Sequence, residues 1–368
     1  MNKLSVALYS LTLLLCSIGL LMIYDTTSAE IIDRSSSVSM HHALLKQMLH
    51  GLLGIGLGFF IYKVGYQNIL KHSWPILIFF TALLVLVFVP HIGLKLNGAK
   101  RWIRLFGFSF QPSEFMKIII PFAFIRMMQL KSYQVDMKDF IKSTLPFLIP
   151  LFLILIEPDN GTVAIILSTM VILFFLCRVN WRFWAGPILA LSLVGGVLAF
   201  QLPYVRSRIN VYLHPEQDLL GKGHQPYQAK IAAGAGGFLG RGMGQSMQKL
   251  SYLPEARSDY IAAIYAEEFG FVGIFFLTVL YMSITLVGFL IALRARDREG
   301  LYLAASLTFL LAFQAFLNLG VVCGLLPSKG TNLPLFSHGG TSLIANFAII
   351  AILLNIGSPK WSREKCLN

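Results

Sequence analysis

Four polar segments interrupt an otherwise apolar chain, and each carries side chains able to move a proton or hold an anion. The first is Asn97-Gly-Ala-Lys-Arg-Trp-Ile-Arg104, running into Phe110-Gln-Pro-Ser-Glu-Phe-Met-Lys117. Gln111-Pro-Ser-Glu114 has the form of a helix start, with proline in the first turn and Glu114 near the positive helix end. Lys117 follows three residues on, on the same face. The segment reads either as an interfacial cap with an ion pair or as a cationic, aromatic gate above a polar site. The second, Glu157-Pro-Asp-Asn-Gly-Thr162, is a sharp turn between hydrophobic runs, at minimum a turn with an aspartate cap. The third runs from Gln248-Lys-Leu-Ser-Tyr-Leu-Pro-Glu-Ala-Arg-Ser-Asp259 into Tyr260-Ile-Ala-Ala-Ile-Tyr-Ala-Glu-Glu-Phe-Gly270. There Ser258 could cap the next helix with Asp259 in its first turn. Glu267 and Glu268 would then lie two turns inside an apolar span, as structural carboxylates or as functional ones. The fourth, Gly324 to Ser342, is a proline- and glycine-broken entry to the last span and carries Lys329 and His338. Non-helical backbone at membrane depth is tolerated where it lines a cavity.

These segments must be positioned by membrane helices. The 368 residues are 56% hydrophobic and 13% charged, against about 25% charged in globular proteins. An uncharged run such as Leu4 to Tyr24 is long enough to cross about 30 Å of hydrocarbon as a helix. Only helices satisfy their backbone there, apart from closed barrels. The expected class is therefore all-α and polytopic, a single membrane domain over 1–368. About ten spans are expected, near 4–24, 43–62, 74–92, 112–128, 143–157, 161–178, 183–201, 262–292, 300–325 and 335–356. The first run is expected to be retained: it is too long for a signal-peptide core, is preceded only by Lys3, and has no A-x-A site after it. The four cysteines are scattered and support neither a disulfide framework nor a zinc site.

Basic residues crowd every second short connection, at 63–73, 126–142, 178–182, 294–298 and 360–365. The positive-inside rule then puts both termini in the cytoplasm. The connection 202–261 falls outside and is itself cationic, as is the loop bearing Lys95, Lys100, Arg101 and Arg104. Since the net charge of +13 resides in loops between spans, lipid headgroups and an anionic membrane-bound substrate are expected partners rather than nucleic acid. A phosphate-bearing ligand fits best. The glycine-dense run 233–244 is neither a Walker loop nor G-x-G-x-x-G. It reads as tight turns requiring φ > 0, or as a backbone that approaches a phosphate or sugar.

In this order and spacing, the four segments resemble the SEDS family of cell-wall proteins, and the likeness covers nearly the whole chain. Gln248-Lys-Leu with Tyr252-Leu-Pro-Glu-Ala-Arg-Ser-Asp259, and Leu326-Pro-Ser-Lys-Gly330, look more like the FtsW branch than the RodA branch. The resemblance implies ten spans, a large external loop between spans seven and eight, and a bacterial inner-membrane peptidoglycan glycosyltransferase whose site faces the periplasm. It implies lipid II as substrate, and as partners a class B penicillin-binding protein and other divisome membrane proteins. It places Asp259 at the position regarded as catalytic. It places Arg101, Trp102, Gln111, Glu114, Lys117, Gln228, Glu255 and Lys329 at positions thought to line the site. Arg257 stands where the family usually has histidine, Glu157 and Asn160 alter Gln-Pro-Asp-Leu-Gly-Thr, and His338 and Thr341 alter Ser-Tyr-Gly-Gly-Ser.

The implied reaction needs one general base and positive charge on a departing diphosphate. Asp259 is the expected base. Lys117, Arg101 and Arg257 are the expected cations, and a divalent ion, magnesium or manganese, would be compatible. Two rivals remain at this level: a lipid II flippase, and a scaffold that positions a transpeptidase.

Overall fold

The computed structural model describes residues 2–34, 42–96, 99–105, 108–131, 136–189, 209–218, 221, 223–250, 253, 256–328 and 330–358. Helices α1 (Lys3–Arg34), α2 (His42–Val64), the short α3 (Tyr66–Lys71) and α4 (Ser73–Leu86) lead into a three-stranded antiparallel meander. Its strands are β1 (Gly93–Leu96), β2 (Ala99–Leu105) and β3 (Phe108–Phe110). Then come α5 (Pro112–Leu130), α6 (Met137–Ile156) and α7 (Asn160–Leu176). A 3-10 turn at Pro215–Asp218 precedes α8 (His224–Ala235), α9 (Ile261–Leu293), α10 (Arg298–Val322) and α11 (Gly340–Ile356).

Among the described residues, α1, α2, α6, α9 and α10 are long and apolar enough to cross a membrane, and α4, α7 and α11 are shorter apolar helices. The outward faces are unmistakably lipid-facing, with Leu52, Phe60, Ile78, Phe152, Phe275 and Met282 all more than half exposed. Such a belt would aggregate in water. The expected spans coincide with these helices and with α5, except 183–201. That segment is helical through residue 189, and the rest of it lies outside the described residues.

Helix α5 is the axis of the bundle. It packs against α4, α7, α10 and α11, and its buried residues run almost without interruption from Pro112 to Met128. An α-helix buried all round is apolar all round, and the buried residues of α5 depart from that only at its first turns, where Ser113, Glu114 and Lys117 sit.

Two features were not expected. The connection 93–110 is a small sheet, with Gly93 opposite Ile103, Leu94 opposite Trp102 and a bulge after Leu94, and with Arg104 opposite Ser109. Asn97-Gly98, a pair favoured in two-residue hairpin turns, stands between β1 and β2 in the sequence and was an overlooked signal for it. The expected span 262–292 is broken at Gly270, where φ 64° and ψ −161° lie in a region only glycine populates.

The glycine-dense run packs into that break, so the reading of tight turns holds. Gly237, Gly240, Gly242 and Gly244 all have positive φ. The amides of Arg241 and Gly242 donate to the carbonyls of Glu267 and Glu268 at 3.0 Å each, and those of Phe271 and Val272 donate back to Gly237 and Phe238. The buried Glu267 carboxylate accepts from Ser246 Oγ at 2.5 Å, Arg241 at 2.9 Å and the Met247 amide at 3.1 Å. Glu268 accepts from Lys249 at 2.7 Å, and Lys249 also binds Asp25 of α1 at 2.7 Å. Both glutamates therefore clamp the loop to the bundle. At Gly270 a Cβ would fall 2.3 Å from the Gly240 nitrogen. Gly270→Ala should lower stability by at least about 1–3 kcal/mol, seen as a reduced melting temperature in detergent micelles. An unchanged melting temperature would show that the break accommodates a side chain.

Candidate active site

A cavity of about 630 Å³ opens where the N-terminal ends of α2, α5, α7, α8 and α11 meet the turn preceding α9 and residues of the connection before α11, among them Ser328, Gly330, Asn332 and His338. Each helix start presents unpaired N–H groups and a partial positive charge. An apolar bundle that gathers several of them around one hollow makes a site suited to anions.

The sheet and the α6–α7 turn form one wall. Asp159 caps α7, accepting from the Thr162 amide at 3.3 Å and its hydroxyl at 2.9 Å. The same carboxylate accepts from Gln111 Nε2 at 3.1 Å and lies 3.9 Å from Arg101. Arg101 donates in addition to the carbonyls of Glu157 at 3.0 Å and Pro158 at 2.5 Å. Thr341 Oγ1 accepts from the Gln111 amide at 3.1 Å and donates to the Ser109 carbonyl at 3.2 Å, tying β3 and α5 to α11.

A second wall is built on α5 and α10. Pro112 and Glu114 occupy the first turn of α5, as the sequence indicates, with Gln111 at the cap. Lys117 Nζ donates to Glu114 at 2.8 Å and to Gln314 Oε1 at 3.3 Å, and all three side chains are buried. Gln314 Nε2 donates onward to the Asn332 carbonyl at 3.1 Å. One turn along α10, Asn318 Nδ2 donates to the carbonyls of Asp259 at 2.8 Å and Thr331 at 2.7 Å. Asp259 thus has its backbone pinned from α10 while its carboxylate lines the cavity. Gly330 passes so close that a Cβ there would lie 3.3 Å from Asp259 Oδ2.

Of the residues singled out in the sequence, Arg101, Trp102, Gln111, Glu114, Lys117 and Asp259 line one cavity. Gln228, on α8, and Arg257 do not line it; the Arg257 carbonyl accepts from the His338 amide at 2.9 Å. Glu255 and Lys329 lie outside the described residues. Ser258 does not cap α9: the cap position is Tyr260, with no capping side chain, and Asp259 precedes the helix. A residue in the turn rather than the first helical turn is free to aim its side chain at the cavity. Sequence reasoning missed Lys46, His50 and Gln314 in the wall, and Asn318 behind it. Gln314 and Asn318, spaced i, i+4 within an apolar helix, were the available signal. Among the described residues no three His, Cys, Asp or Glu side chains gather as a metal site.

The sequence profile of the family described as cell cycle protein, FtsW/RodA/SpoVE, matches residues 6–360. The chain belongs to the FtsW/RodA/SpoVE family. It is 35% identical over 367 residues to the probable peptidoglycan glycosyltransferase FtsW of Trichlorobacter lovleyi, covering 95% of this chain and 93% of that one. It is 37% identical to the stage V sporulation protein E of Bacillus subtilis, covering 94% of each. A chain from a structure on the coordination of polymerization and crosslinking by a peptidoglycan synthase complex superposes with a TM-score of 0.74. Its identity is 25%, over 95% of this chain and 96% of that one. The rod shape determining protein RodA of Thermus thermophilus shares the fold, with a TM-score of 0.69, 24% identity and 96% coverage of each chain. A FtsW/RodA/SpoVE-family chain of this architecture is a polytopic membrane protein.

Glu157 stands where the resemblance implies glutamine. It is wholly buried at the end of α6, and neither carboxylate oxygen has a hydrogen-bond partner. Burial, reinforced by Asp159 and opposed by Arg101, pushes its pKa up from 4.5 to about 8. The folded state therefore holds a proton that the unfolded chain has released, and stability falls as pH rises from about 4.5 to about 8. Glu157→Gln should flatten that decline and raise the melting temperature at pH 8. A steeper decline in the variant would contradict the assignment.

The Glu114–Lys117 pair gives a second prediction. Lys117→Met leaves a buried carboxylate without its counter-charge, which costs about 3–5 kcal/mol. The double variant E114L/K117M should recover much of this in thermal unfolding. K117M melting with the wild type would show that the pair is not coupled.

Proposed function

We propose that this chain is a peptidoglycan glycosyltransferase that polymerises lipid II into glycan strands during bacterial cell division. The observation that carries the mechanism is Asp259, its backbone carbonyl held by Asn318, at the edge of a polar cavity fed by helix N-termini. In the step, the 4-hydroxyl of the acceptor sugar gives its proton to Asp259 as its oxygen bonds the anomeric carbon of a second lipid-linked sugar. The bond from that carbon to the diphosphate breaks, and its electron pair leaves on the diphosphate oxygen. One displacement inverts the anomeric centre. No second carboxylic acid is needed, because a diphosphate is already a good leaving group.

A magnesium or manganese ion is compatible with this scheme. It would arrive with the substrate, since magnesium is commonly held by one or two carboxylates plus phosphate oxygens. The alternation of basic connections supports an inner-membrane protein with both termini in the cytoplasm and the cavity facing the periplasm. The likeness to one chain of a peptidoglycan synthase complex supports a class B penicillin-binding protein as partner; other divisome membrane proteins are proposed from the family resemblance.

Asp259→Asn should abolish glycan strands made by purified protein from labelled lipid II while leaving the melting temperature within a few degrees. Strands at the wild-type rate from this variant would remove Asp259 from the mechanism. Lipid II crossing proteoliposome bilayers without polymer from the wild type would instead favour a flippase.

A further inference from the structure

The cations expected to hold the departing diphosphate are already engaged. Lys117 is 3% exposed and bound to Glu114 and Gln314, and Arg101 is bound to two carbonyls beside Asp159. Among the described residues lining the cavity, the remaining lysine or arginine is Lys46 of α2. Its amine makes no ion pair or hydrogen bond with any described residue.

Lys46 stands beside the start of α11. Glycines of α2 let the two helices approach closely: a Cβ at Gly54 would meet Phe347 at 2.7 Å, and one at Gly58 would meet Ala351 at 3.3 Å. One turn after Lys46, His50 Nδ1–H donates to the Lys46 carbonyl at 2.6 Å. Its Nε2 would lie 2.4 Å from a Cβ at Gly340. Gln47 donates to the Ser337 carbonyl at 3.2 Å, fixing the same end of α2 to the approach of α11.

The start of α11 differs in charge from those of α5 and α7. Helix α5 has Glu114 in its first turn and α7 has Asp159 at its cap, and each carboxylate offsets the positive helix end. Helix α11 begins at Gly339-Gly340-Thr341-Ser342 with no acidic residue in the first turn and no capping side chain. Its first amides have no intrahelical acceptor. Ser342 lines the cavity, is 5% exposed, and its hydroxyl has no hydrogen-bond partner among the described residues. A buried hydroxyl left unsatisfied is unfavourable until an acceptor arrives.

We infer that Lys46, Ser342 and the first-turn amides of α11 form the subsite for the diphosphate of the polyprenyl-linked substrate. The inference rests on the glycosyltransferase reading and adds to it which groups receive the leaving group's charge. Uncapped amides and a lysine without a carboxylate suit phosphate oxygens, which accept several hydrogen bonds at once.

The test is equilibrium binding of a fluorescent polyprenyl diphosphate to the full-length protein in detergent micelles. The corresponding polyprenol measures the tail alone. Lys46→Gln should weaken diphosphate binding about 10-fold and polyprenol binding not at all, and Lys46→Arg should stay near wild type. Ser342→Ala should weaken diphosphate binding by a smaller factor in the same direction. Diphosphate affinity unchanged in K46Q, or lost equally for the polyprenol, would overturn the subsite. Polymerisation of lipid II by the wild type, run alongside, keeps the two claims apart. Absence of polymer with a K46Q binding defect intact would sink the glycosyltransferase reading and leave the subsite standing.

Discussion

A charge in hydrocarbon has no water to lean on, so an ionic group in this bundle is supported only by the side chains that meet it. That constraint organises the inner end of the cavity. Lys117 and Glu114 share a helix face, and the carboxamides of Gln314 and Asn318 on α10 extend the pair into a lattice. The lattice reaches the backbone of the 331–332 segment and of Asp259. Removing one member would leave others buried without partners, so the arrangement resists relaxation. A rigid hollow suits the proposed reaction, in which two long lipid-linked sugars must be oriented.

The same constraint operates where the loop before α9 meets the bundle, with a different result. Glu267 and Glu268 are as buried as any residue of the cavity wall, yet they point at the glycine-dense loop and not at the hollow. They satisfy the amides and cations of residues 241–249, which would otherwise meet the break in α9 unpaired. Lys249 extends this to Asp25, so one end of α1 is joined to the same cluster. The carboxylates of one short stretch are thus divided: Asp259 faces the cavity, and the pair eight and nine residues later holds the segment that carries it.

Around the hollow, the electrostatics come as much from the backbone as from side chains. Several helix starts converge there, and Asp159 and Glu114 already offset two of them. Among the described residues, what remains positive is the starts of α2, α8 and α11, whose first turns carry no acidic residue, and Lys46. The proposed displacement would need a proton acceptor and a region of positive potential that do not neutralise each other.

The chain's membrane class, the positions of most spans and the polar segments around the cavity were legible in the residues. Long uncharged runs have one backbone solution in lipid, and ionisable residues beside them are too expensive to be incidental. Pro112 and Glu114 announced the start of α5, and Asp159 the cap of α7, because caps are local. The break at Gly270 was not legible, since a glycine in an apolar run is compatible with an unbroken helix until a second segment, residues 237–242, needs its backbone. Nor could the sequence tell that Lys117 and Arg101 would be engaged while Lys46 found no partner among the described residues. Composition lists the charges, but which of them find partners depends on distances between helices far apart in the chain, and only close packing of α2 on α11 and of α5 on α10 sets those distances.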